Sequence, residues 1–539
     1  MRSLRVKTTA EPGRTPEPAS REAPGPVRGG RAAAHVGAGI FLSRLFGFLR
    51  DRVFAYYFGT SPVADAWRAA LRLPNVIQNL LGEGTLSASL IPVYAELLQE
   101  GREEDAGRFA GAALGILVTV AAALVLGGIL LAPWLVKLFF FEWDTEKQAL
   151  TVTLVRILFP MTGVLVVSAW ALGILNSHRR FFISYVAPVI WNLAMIAAMI
   201  AGGAYLGMGQ RDLVVALAWG ALVGGFLQFA VQLPFVMRYL KGFRLSLGRR
   251  VHGVAEAIRN FWPVVAARGV VNLSGWVDLI LAATLADGAV AVMGYAQTFY
   301  ILPISLFGMS VAASELPELS RMRREEVEIL ARRVSGALER VSFFLIPSAL
   351  VYLAVGDVVV GALYQTGAFG ETQTLITWGV LGGYSLGLVA SARSRVLSSA
   401  FYALRDTATP ARIATLRVGV SALAGVALMI PLDQVGFQRL RLGAAGLALG
   451  TTLGAWMEYA LLRHALARSL GPHGPALRPL LSIFLAASLA AATAVALQLL
   501  LPPAHPALVA VETLIPSGVV YLAVARLMGL NGLSRHPSP

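Results

Sequence analysis

Long apolar runs alternate with short polar loops along most of the chain, and this pattern predicts the secondary structure. A helix needs about 20 apolar residues to cross a membrane, and the apolar runs repeatedly reach that length. The pattern predicts an all-α polytopic membrane protein with about fourteen transmembrane helices. The predicted spans are 34–51, 64–98, 107–138, 149–176, 182–206, 212–238, 256–286, 289–319, 334–356, 371–402, 409–431, 443–467, 478–501 and 507–528.

One stretch, residues 43–97, interrupts the apolar pattern with charged side chains. These are Arg44, Arg50, Asp51, Arg52, Asp65, Arg68, Arg72 and Glu83. A charge near the bilayer centre costs about 2.5–3.5 kcal/mol, so we do not expect several of them in adjacent helices to face lipid. They are expected to point into a wet cavity lined by protein. The alternative is that some, Arg50 and Arg52 above all, reach the lipid headgroups from a helix end.

Spacing supports the cavity interpretation. Several polar residues of the second span recur about every 3.6 residues, which places them on one helical stripe: Asp65, Arg68, Arg72, Asn79 and Glu83. Pro74 and the triplet Gly82-Glu83-Gly84 are predicted to interrupt this helix. Broken helices inside membranes tend to line binding sites.

Lysine and arginine are distributed unequally between alternate loops, and this asymmetry predicts the orientation. Basic residues concentrate in the loops near 179–180, 241–250, 321–333, 405–412 and 468–478, whereas the opposite loops carry few, and 357–372 carries none. Basic loops stay in the cytoplasm. We therefore predict that both termini are cytoplasmic and that loop 357–372 is external. Residues 1–33 lack an apolar face and are predicted to form a disordered cytoplasmic tail.

The chain also contains an apparent internal repeat. The pattern of Gly59 followed by Leu73-Pro74 recurs as Gly288 followed by Leu302-Pro303, about six helices later in the chain. The repeat predicts two six-helix bundles, residues 34–240 and 241–470, with two extra helices and a short tail in residues 471–539. Arg268 occupies the position in the second bundle that Arg44 occupies in the first. We therefore expect Arg268 to supply the second bundle's share of an anion site.

Composition excludes several classes of function. The 539 residues are 56% hydrophobic and only 14% charged, with a mean hydropathy of +0.67. The net charge of +15 is scattered through short loops without aromatic partners, so we expect no nucleic-acid binding. The chain has no cysteine and shows neither a metal-ligand spacing nor a Walker A loop. We predict no metal, no cofactor and no enzymatic activity.

Several short motifs lie along the chain: SRLFGFLRD (43–51), LRLPN (71–75), EG-x2-S-x4-PVYAE (83–96), LYQTGAF (363–369) and FYALRDTATPARIA (401–414). These motifs resemble those of the MurJ (MviN) family of bacterial lipid II flippases, in the multidrug/oligosaccharidyl-lipid/polysaccharide exporter superfamily. The resemblance implies a V-shaped fold, alternating access and a cationic cavity that binds the lipid-linked pyrophosphate–sugar–peptide precursor of peptidoglycan. By position it implies functional roles for Arg44, Arg50, Asp51, Asp65 and Glu83.

The chain departs from this family pattern where arginines are usual. Gln78 and Asn79 stand in place of an arginine pair, and Thr298 stands where the eighth span usually has another arginine. We expect Arg68 and Arg268 to supply the missing positive charge.

The predicted function is a flippase for lipid II in the bacterial inner membrane. Its pyrophosphate carries about two negative charges and suits bidentate arginine donors. While the site is empty, we expect Asp51, Asp65 and Glu83 to pair with the arginines. The expected partners are lipid II or a related polyprenyl-pyrophosphate saccharide, membrane lipids and cell-wall synthesis proteins. The predicted substrate-binding residues are Arg44, Arg50, Asp51, Asp65, Arg68, Arg72, Glu83 and Arg268. The alternatives are a drug or ion antiporter of the same superfamily and a non-transporting membrane scaffold.

Overall fold

The structure, a computed structural model, describes residues 29–248, 251–308, 311, 327–435, 441–502 and 504–530. For residues 29–38, 40, 266–274, 327 and 435 it describes the backbone alone. The predicted tail 1–33 lies outside the described residues, apart from the last turn that leads into the first helix.

The described residues form fifteen α-helices joined by short loops. In chain order they are α1 Gly29–Phe58, α2 Pro62–Leu81, α3 Glu83–Gln99, α4 Glu103–Phe139, α5 Thr145–Ser177, α6 Phe181–Ile200, α7 Gln210–Met237, α8 Val254–Ala283, α9 Ala289–Pro303, α10 Val327–Tyr364, α11 Glu371–Ala403, α12 Ala408–Val435, α13 Gly443–Leu470, α14 Leu477–Leu500 and α15 Pro506–Leu527. One turn of π-helix extends α6 and another extends α9. The prediction of an all-α membrane protein is confirmed.

Fourteen predicted spans correspond to fifteen helices because the second span is broken in two. The break lies at Gly82, which ends α2 and begins α3. Pro74, predicted to interrupt the helix, lies inside α2 without ending it. Ten of the described helices are long and apolar enough to cross a membrane, and α2 is not among them because Asp65, Arg68 and Arg72 fall within it. The count of fourteen crossings stays a prediction.

Helices near in sequence pack together in two groups. In the first, α1 packs on α6, α2 on α5, and α7 on both α5 and α6. In the second, α9, α10 and α13 pack on α11, and α12 packs on α13. Helices α14 and α15 pack on each other and on α10. Contacts of α1, α2 and α3 with α8, α9 and α10 join the two groups.

Glycines set the closest of these helix contacts. A Cβ built on Gly450 of α13 would lie 2.4 Å from the backbone nitrogen of Gly425 in α12. One turn earlier, a Cβ built on Gly446 would lie 2.6 Å from the backbone of Met429. Small residues let helices approach closely in a membrane, where no hydrophobic force drives them together. The pair α12–α13 is therefore held in one register by its glycines.

Candidate functional site

Three connecting segments meet at one end of the helix assembly: residues 59–61, 284–288 and 365–370. We call this the sealed end. Ala368 N donates to Tyr56 O (2.8 Å), and the Tyr295 hydroxyl donates to Gly59 O (2.9 Å). The last segment lies in the loop 357–372 that is predicted to be external, and the structure places all three segments together.

Left-handed glycines allow this close approach. Gly59 has φ +54° and Gly288 has φ +92°, a region that other residues rarely adopt. A Cβ on Gly288 would lie 2.4 Å from Thr60 O, and one on Gly59 would lie 2.4 Å from Ala368 O. These glycines, which the internal repeat singled out, let the backbones of the two groups touch.

An ionic network lies just inside the sealed end, with Lys147 and Asp65 buried and Asp287 exposed. Lys147 Nζ lies 2.9 Å from Asp65 Oδ2 and 2.7 Å from Asp287 Oδ1. Asp65 also accepts the backbone N–H groups of Gly288 (2.7 Å) and Ala291 (2.8 Å) at the start of α9. A carboxylate there satisfies free amides and the helix dipole. Asp65 thus joins α2, α5 and α9 at one point.

This network corrects the expectation that Asp65 pairs with an arginine. Its partner is Lys147, which the sequence placed in a polar loop. Asp144 caps α5 by accepting Lys147 N (2.8 Å), and this brings Lys147 into the first turn of the helix. The Lys147 ammonium lies 4.1 Å from the ring centroid of Trp143, whose indole donates to Ala283 O (2.9 Å).

Deeper in the assembly lies a second set of charges, some paired within one helix group and some that reach the other group. We call it the charged layer: Arg50, Asp51, Arg68, Arg72, Asp278, Arg417 and Glu458. The Arg50 guanidinium donates to Asp51 Oδ1 (2.8 Å) and to Asn192 Oδ1 (3.1 Å). The predicted pairing of Asp51 with an arginine is thus present, between neighbours on α1.

Arg68 lies between aromatic rings from both groups. Its guanidinium carbon is 5.4 Å from the ring centroid of Phe54 and 4.9 Å from that of Tyr295. Such cation–π contacts compensate part of a buried charge. Its Nε and Nη2 are buried without an acceptor among the described protein groups. Arg68 therefore has donors free for an anion.

Arg72 reaches from α2 across to α8. A Cβ built on Gly275 would lie 1.9 Å from Arg72 Nη2, so only a glycine leaves room for the guanidinium. Asp278, one turn further along α8, interacts electrostatically with Arg72 and also with Arg417 of α12. Two arginines, one from each group, are therefore within electrostatic range of one carboxylate.

Among the other predicted site residues, Arg44 and Glu83 have contacts with different residues. Arg44 is exposed on α1 and donates to Ser305 Oγ (3.2 Å) beyond α9. Glu83 is exposed in the first turn of α3, near Tyr185 of α6. Arg268 belongs to α8, but its side chain is outside the described residues.

Sequence reasoning missed the ion pair between α12 and α13. Arg417 Nη1 lies 2.7 Å from Glu458 Oε2. A single charged residue in a span without a recognisable motif gives little indication of its role. The pair became apparent only because the fold brings the two residues together from two helices. Among the described residues, no group of three or more His, Cys, Asp or Glu side chains is placed to hold a metal ion.

An apolar cavity of about 400 Å³ opens between α2, α4, α5 and α8. Leu73, Ile77, Leu131, Phe159 and Trp276 contribute to its lining. The lining includes no charged side chain, so this cavity cannot bind an anionic headgroup. The charged layer is the better candidate for that role.

Known proteins resemble this chain over most of its length. A family model described as "Lipid II flippase MurJ" matches residues 54–513. The probable lipid II flippase MurJ of Rhizobium tropici is 30% identical over 430 residues, 78% of each chain. The lipid II flippase MurJ of Burkholderia cenocepacia is 31% identical over 442 residues, which cover 80% of this chain and 82% of that protein.

Solved structures show the same fold. A lipid II flippase MurJ in an inward closed conformation has a TM-score of 0.73 at 24% identity, covering 91% of this chain and 98% of that one. An inward-facing MATE family multidrug transporter of the MOP superfamily has a TM-score of 0.62 at 15% identity, covering 81% of this chain and 98% of that one. At these identities the likeness concerns the fold alone.

Proposed function

This chain belongs to the MurJ family of lipid II flippases, and from that membership we propose that its charged layer binds the headgroup of lipid II while the protein carries it from the inner to the outer leaflet. The proposal concerns a multi-pass protein of the bacterial inner membrane. Its substrate is a lipid-linked saccharide with an anionic pyrophosphate.

The observation that carries this proposal is the position of the arginines. Arg68 and Arg72 reach from the first helix group to α9 and α8, and Arg50 lies beside Asp51 and Asn192 in the first group. Arg68 retains two donors without an acceptor among the described residues. Planar guanidinium groups match phosphate oxygens with two parallel hydrogen bonds. Away from bulk water their attraction for an anion is stronger than at a surface. In this proposal Asp51 balances the charge of Arg50 while the site is empty.

Alternating access assigns a second role to the sealed end. We propose that residues 34–240 and 241–470 are two bundles that move relative to one another, and that residues 471–539 accompany the second. The packing of α1–α7 and of α9–α13 within separate groups supports this division. The Asp65 network then holds the external side closed and must separate before the substrate leaves.

The orientation follows the distribution of basic loops, with both termini in the cytoplasm and the sealed end external. Because the chain has no cysteine, one introduced thiol reports its own location. A Gln365→Cys variant should react with a membrane-impermeant thiol reagent in intact spheroplasts. Reaction only after the membrane is lysed would reverse the orientation.

Complementation tests the function itself. A bacterium depleted of its own lipid II flippase should grow when it expresses this chain. Arg50→Ala and Arg72→Ala should abolish growth at unchanged membrane levels, because each removes a guanidinium from the charged layer. Lys replacements should restore growth only partly, since an ammonium lacks the bidentate geometry.

The complementation test has one control, and either of two results would contradict the proposal. Lys137→Ala, a change at an exposed position on α4, is the control and should grow like the parent. Growth of both Arg→Ala variants at native expression would remove the charged layer from the mechanism. Failure of the parent itself in every host tested, with correct insertion, would argue against lipid II as the substrate.

A further inference from the structure

Arg52 of α1 donates hydrogen bonds across the boundary between the two helix groups. Its Nη1 donates to Ala362 O (2.9 Å) and to Leu363 O (3.0 Å), both in the last turn of α10. The sequence allowed two interpretations of this arginine, a cavity residue or a cation that reaches the lipid headgroups. The structure instead directs its guanidinium to the end of a helix in the other group.

The carbonyls at this end of α10 need a donor from outside the helix. A regular helix would pair Ala362 O with Thr366 N, but Thr366 N bonds to Phe369 O (3.0 Å) instead. The last carbonyls of any helix lack partners within it, and the negative end of the helix dipole attracts cations. Arg52 supplies both a donor and a positive charge, and it does so from the other helix group.

Helix α10 bends shortly before this end. Val355 has φ −136° and ψ 35°, outside the helical region. The Trp378 indole of α11 donates to Tyr352 O (2.9 Å), a carbonyl that a regular helix pairs with the amide four residues later. A side chain that enters the backbone ladder in this way kinks a helix. Residues 356–364, which we call the outer segment, thus form a short helix beyond a bend, and Arg52 holds its end.

Tyr56, one turn after Arg52 on α1, makes the neighbouring contact. Its carbonyl accepts the amide of Ala368 (2.8 Å), and a Cβ built on Gly367 would lie 2.4 Å from the same oxygen. Residues four apart lie on the same face of a helix. One face of α1 therefore holds both the outer segment and the connection that follows it.

We propose that Arg52 is a positioning residue of the transport cycle, a latch that holds α1 against the outer segment while the sealed end is closed. The inference rests on the alternating access of the proposed function and adds a second contact to the Asp65 network. When the two groups separate at the sealed end, Ala362 O and Leu363 O exchange the guanidinium for water. The outer segment is then free to change direction at the bend.

A contact with carbonyl oxygens suits a latch that opens in every cycle. The C-terminal end of a helix carries only about half a negative charge, whereas Asp65 and Lys147 carry full charges that are buried together. Arg52 is only partly buried, so its release into water does not require a buried ion pair to be broken. Loss of the latch should therefore change how often the sealed end opens more than it changes stability.

Thiol labelling of the sealed end tests the latch without any substrate. The purified full chain in lipid nanodiscs carries one reporter cysteine at Ala291, a buried position in the first turn of α9. Arg52→Met should raise the labelling rate about tenfold, because hydrogen bonds from a charged group contribute enough for a change of that size. Arg52→Lys keeps a cation that reaches the carbonyls, so its rate should lie between those of the parent and Arg52→Met. The unfolding temperature should stay close to that of the parent.

Arg211→Met is the matched control. It removes an exposed guanidinium close to the sealed end, but Arg211 pairs with Glu146 inside the first group. Labelling of residue 291 should therefore stay at the parental rate in this variant.

Three results would overturn the inference. One is a parental labelling rate in Arg52→Met, and another is an equal rate in Arg52→Lys and Arg52→Met, because a role in packing alone does not depend on the cation. The third is a fall in unfolding temperature without faster labelling, which would make Arg52 a structural cap only. If Arg52→Met does not fold, Arg52→Gln, which removes the charge but keeps a donor, takes its place, and a parental rate there has the same meaning.

Growth of a bacterium depleted of its own flippase, measured in parallel, distinguishes this inference from the proposed function. If labelling rises in Arg52→Met but the parent chain does not complement, the latch is supported and the proposed substrate is wrong. If the parent complements and labelling does not rise, only the role of Arg52 is wrong.

Discussion

The sealed end and the charged layer both contain charges away from water, but they pair them differently. At the sealed end the side chains of Lys147 and Asp65 are 4% and 2% exposed, and backbone amides complete the coordination of the carboxylate. In the charged layer the side chains of Arg50 and Arg417 are 23% and 26% exposed. Arg68 keeps two nitrogens without an acceptor among the described groups.

This difference separates charges that hold a conformation from charges that bind a ligand. A network whose members are all satisfied rigidifies its surroundings. A cation with spare donors has affinity left for an anion. Substitutions at the sealed end should therefore change stability and opening, and substitutions in the charged layer should change binding.

The largest effect is expected at Lys147. Lys147→Met leaves Asp65 buried without its cation, and removing one partner of a buried pair costs about 3–5 kcal/mol. The unfolding temperature in detergent should fall clearly, and complementation should fail. Adding Asp65→Asn should recover part of the stability, since it removes the uncompensated charge. An unchanged unfolding temperature for Lys147→Met would show that the network does not hold the sealed end.

A smaller effect is expected at Gly288. Gly288→Val adds a side chain at φ +92°, which costs about 1–2 kcal/mol in the left-handed region, and it crowds Thr60 O. The sealed end should open more often. A reporter cysteine at Ala291, which is buried, should react faster with an external thiol reagent in this variant than in the parent.

The matched control for that change is Gly207→Val. Gly207 also has a positive φ of +60°, but nothing lies within 4 Å of an added Cβ. The Gly207→Val variant has the energetic cost of a positive φ but no steric clash. Labelling at residue 291 should therefore stay at the parental rate. Equal labelling in both variants would mean that the close approach at Gly288 is not what closes this end.

At Arg68 we expect a small change in stability and a large loss of function. Arg68→Met removes a cation whose Nε and Nη2 make no hydrogen bond to the described residues, so the free energy of unfolding should change by only about 1 kcal/mol. Complementation should nevertheless be lost, because the anion loses a donor. A loss of stability as large as that of Lys147→Met would place Arg68 with the structural charges.

The smallest effect is expected at Arg211, which pairs with Glu146 on the surface close to the sealed end. Both side chains are more than half exposed, and such pairs contribute about 0.2–1 kcal/mol. Arg211→Ala should leave complementation and the labelling of residue 291 unchanged. A clear loss of complementation, or a clear change in the labelling rate of residue 291, would contradict this expectation. It would mean that proximity to the sealed end decides the contribution of an ion pair more than its burial does.

Much of this architecture could be predicted from the sequence because its signals are local. Hydropathy over about 20 residues gave helices in all fourteen predicted places, and the Gly82 triplet gave the break between α2 and α3. The period of the stripe placed Asp65, Arg68 and Arg72 on the face of α2 that meets the other group. The family signature was likewise readable in short motifs.

The pairing of the charges was decided only by the tertiary structure. Lys147 and Asp65 are 82 residues apart, and Arg417 and Glu458 are 41 apart, so no local pattern couples them. The sequence showed that Asp65 needed a partner, because an unpaired charge in a membrane is costly. It did not show which cation the fold would bring there. That choice depends on which helix ends meet, and here left-handed glycines and the Asp144 cap decided it.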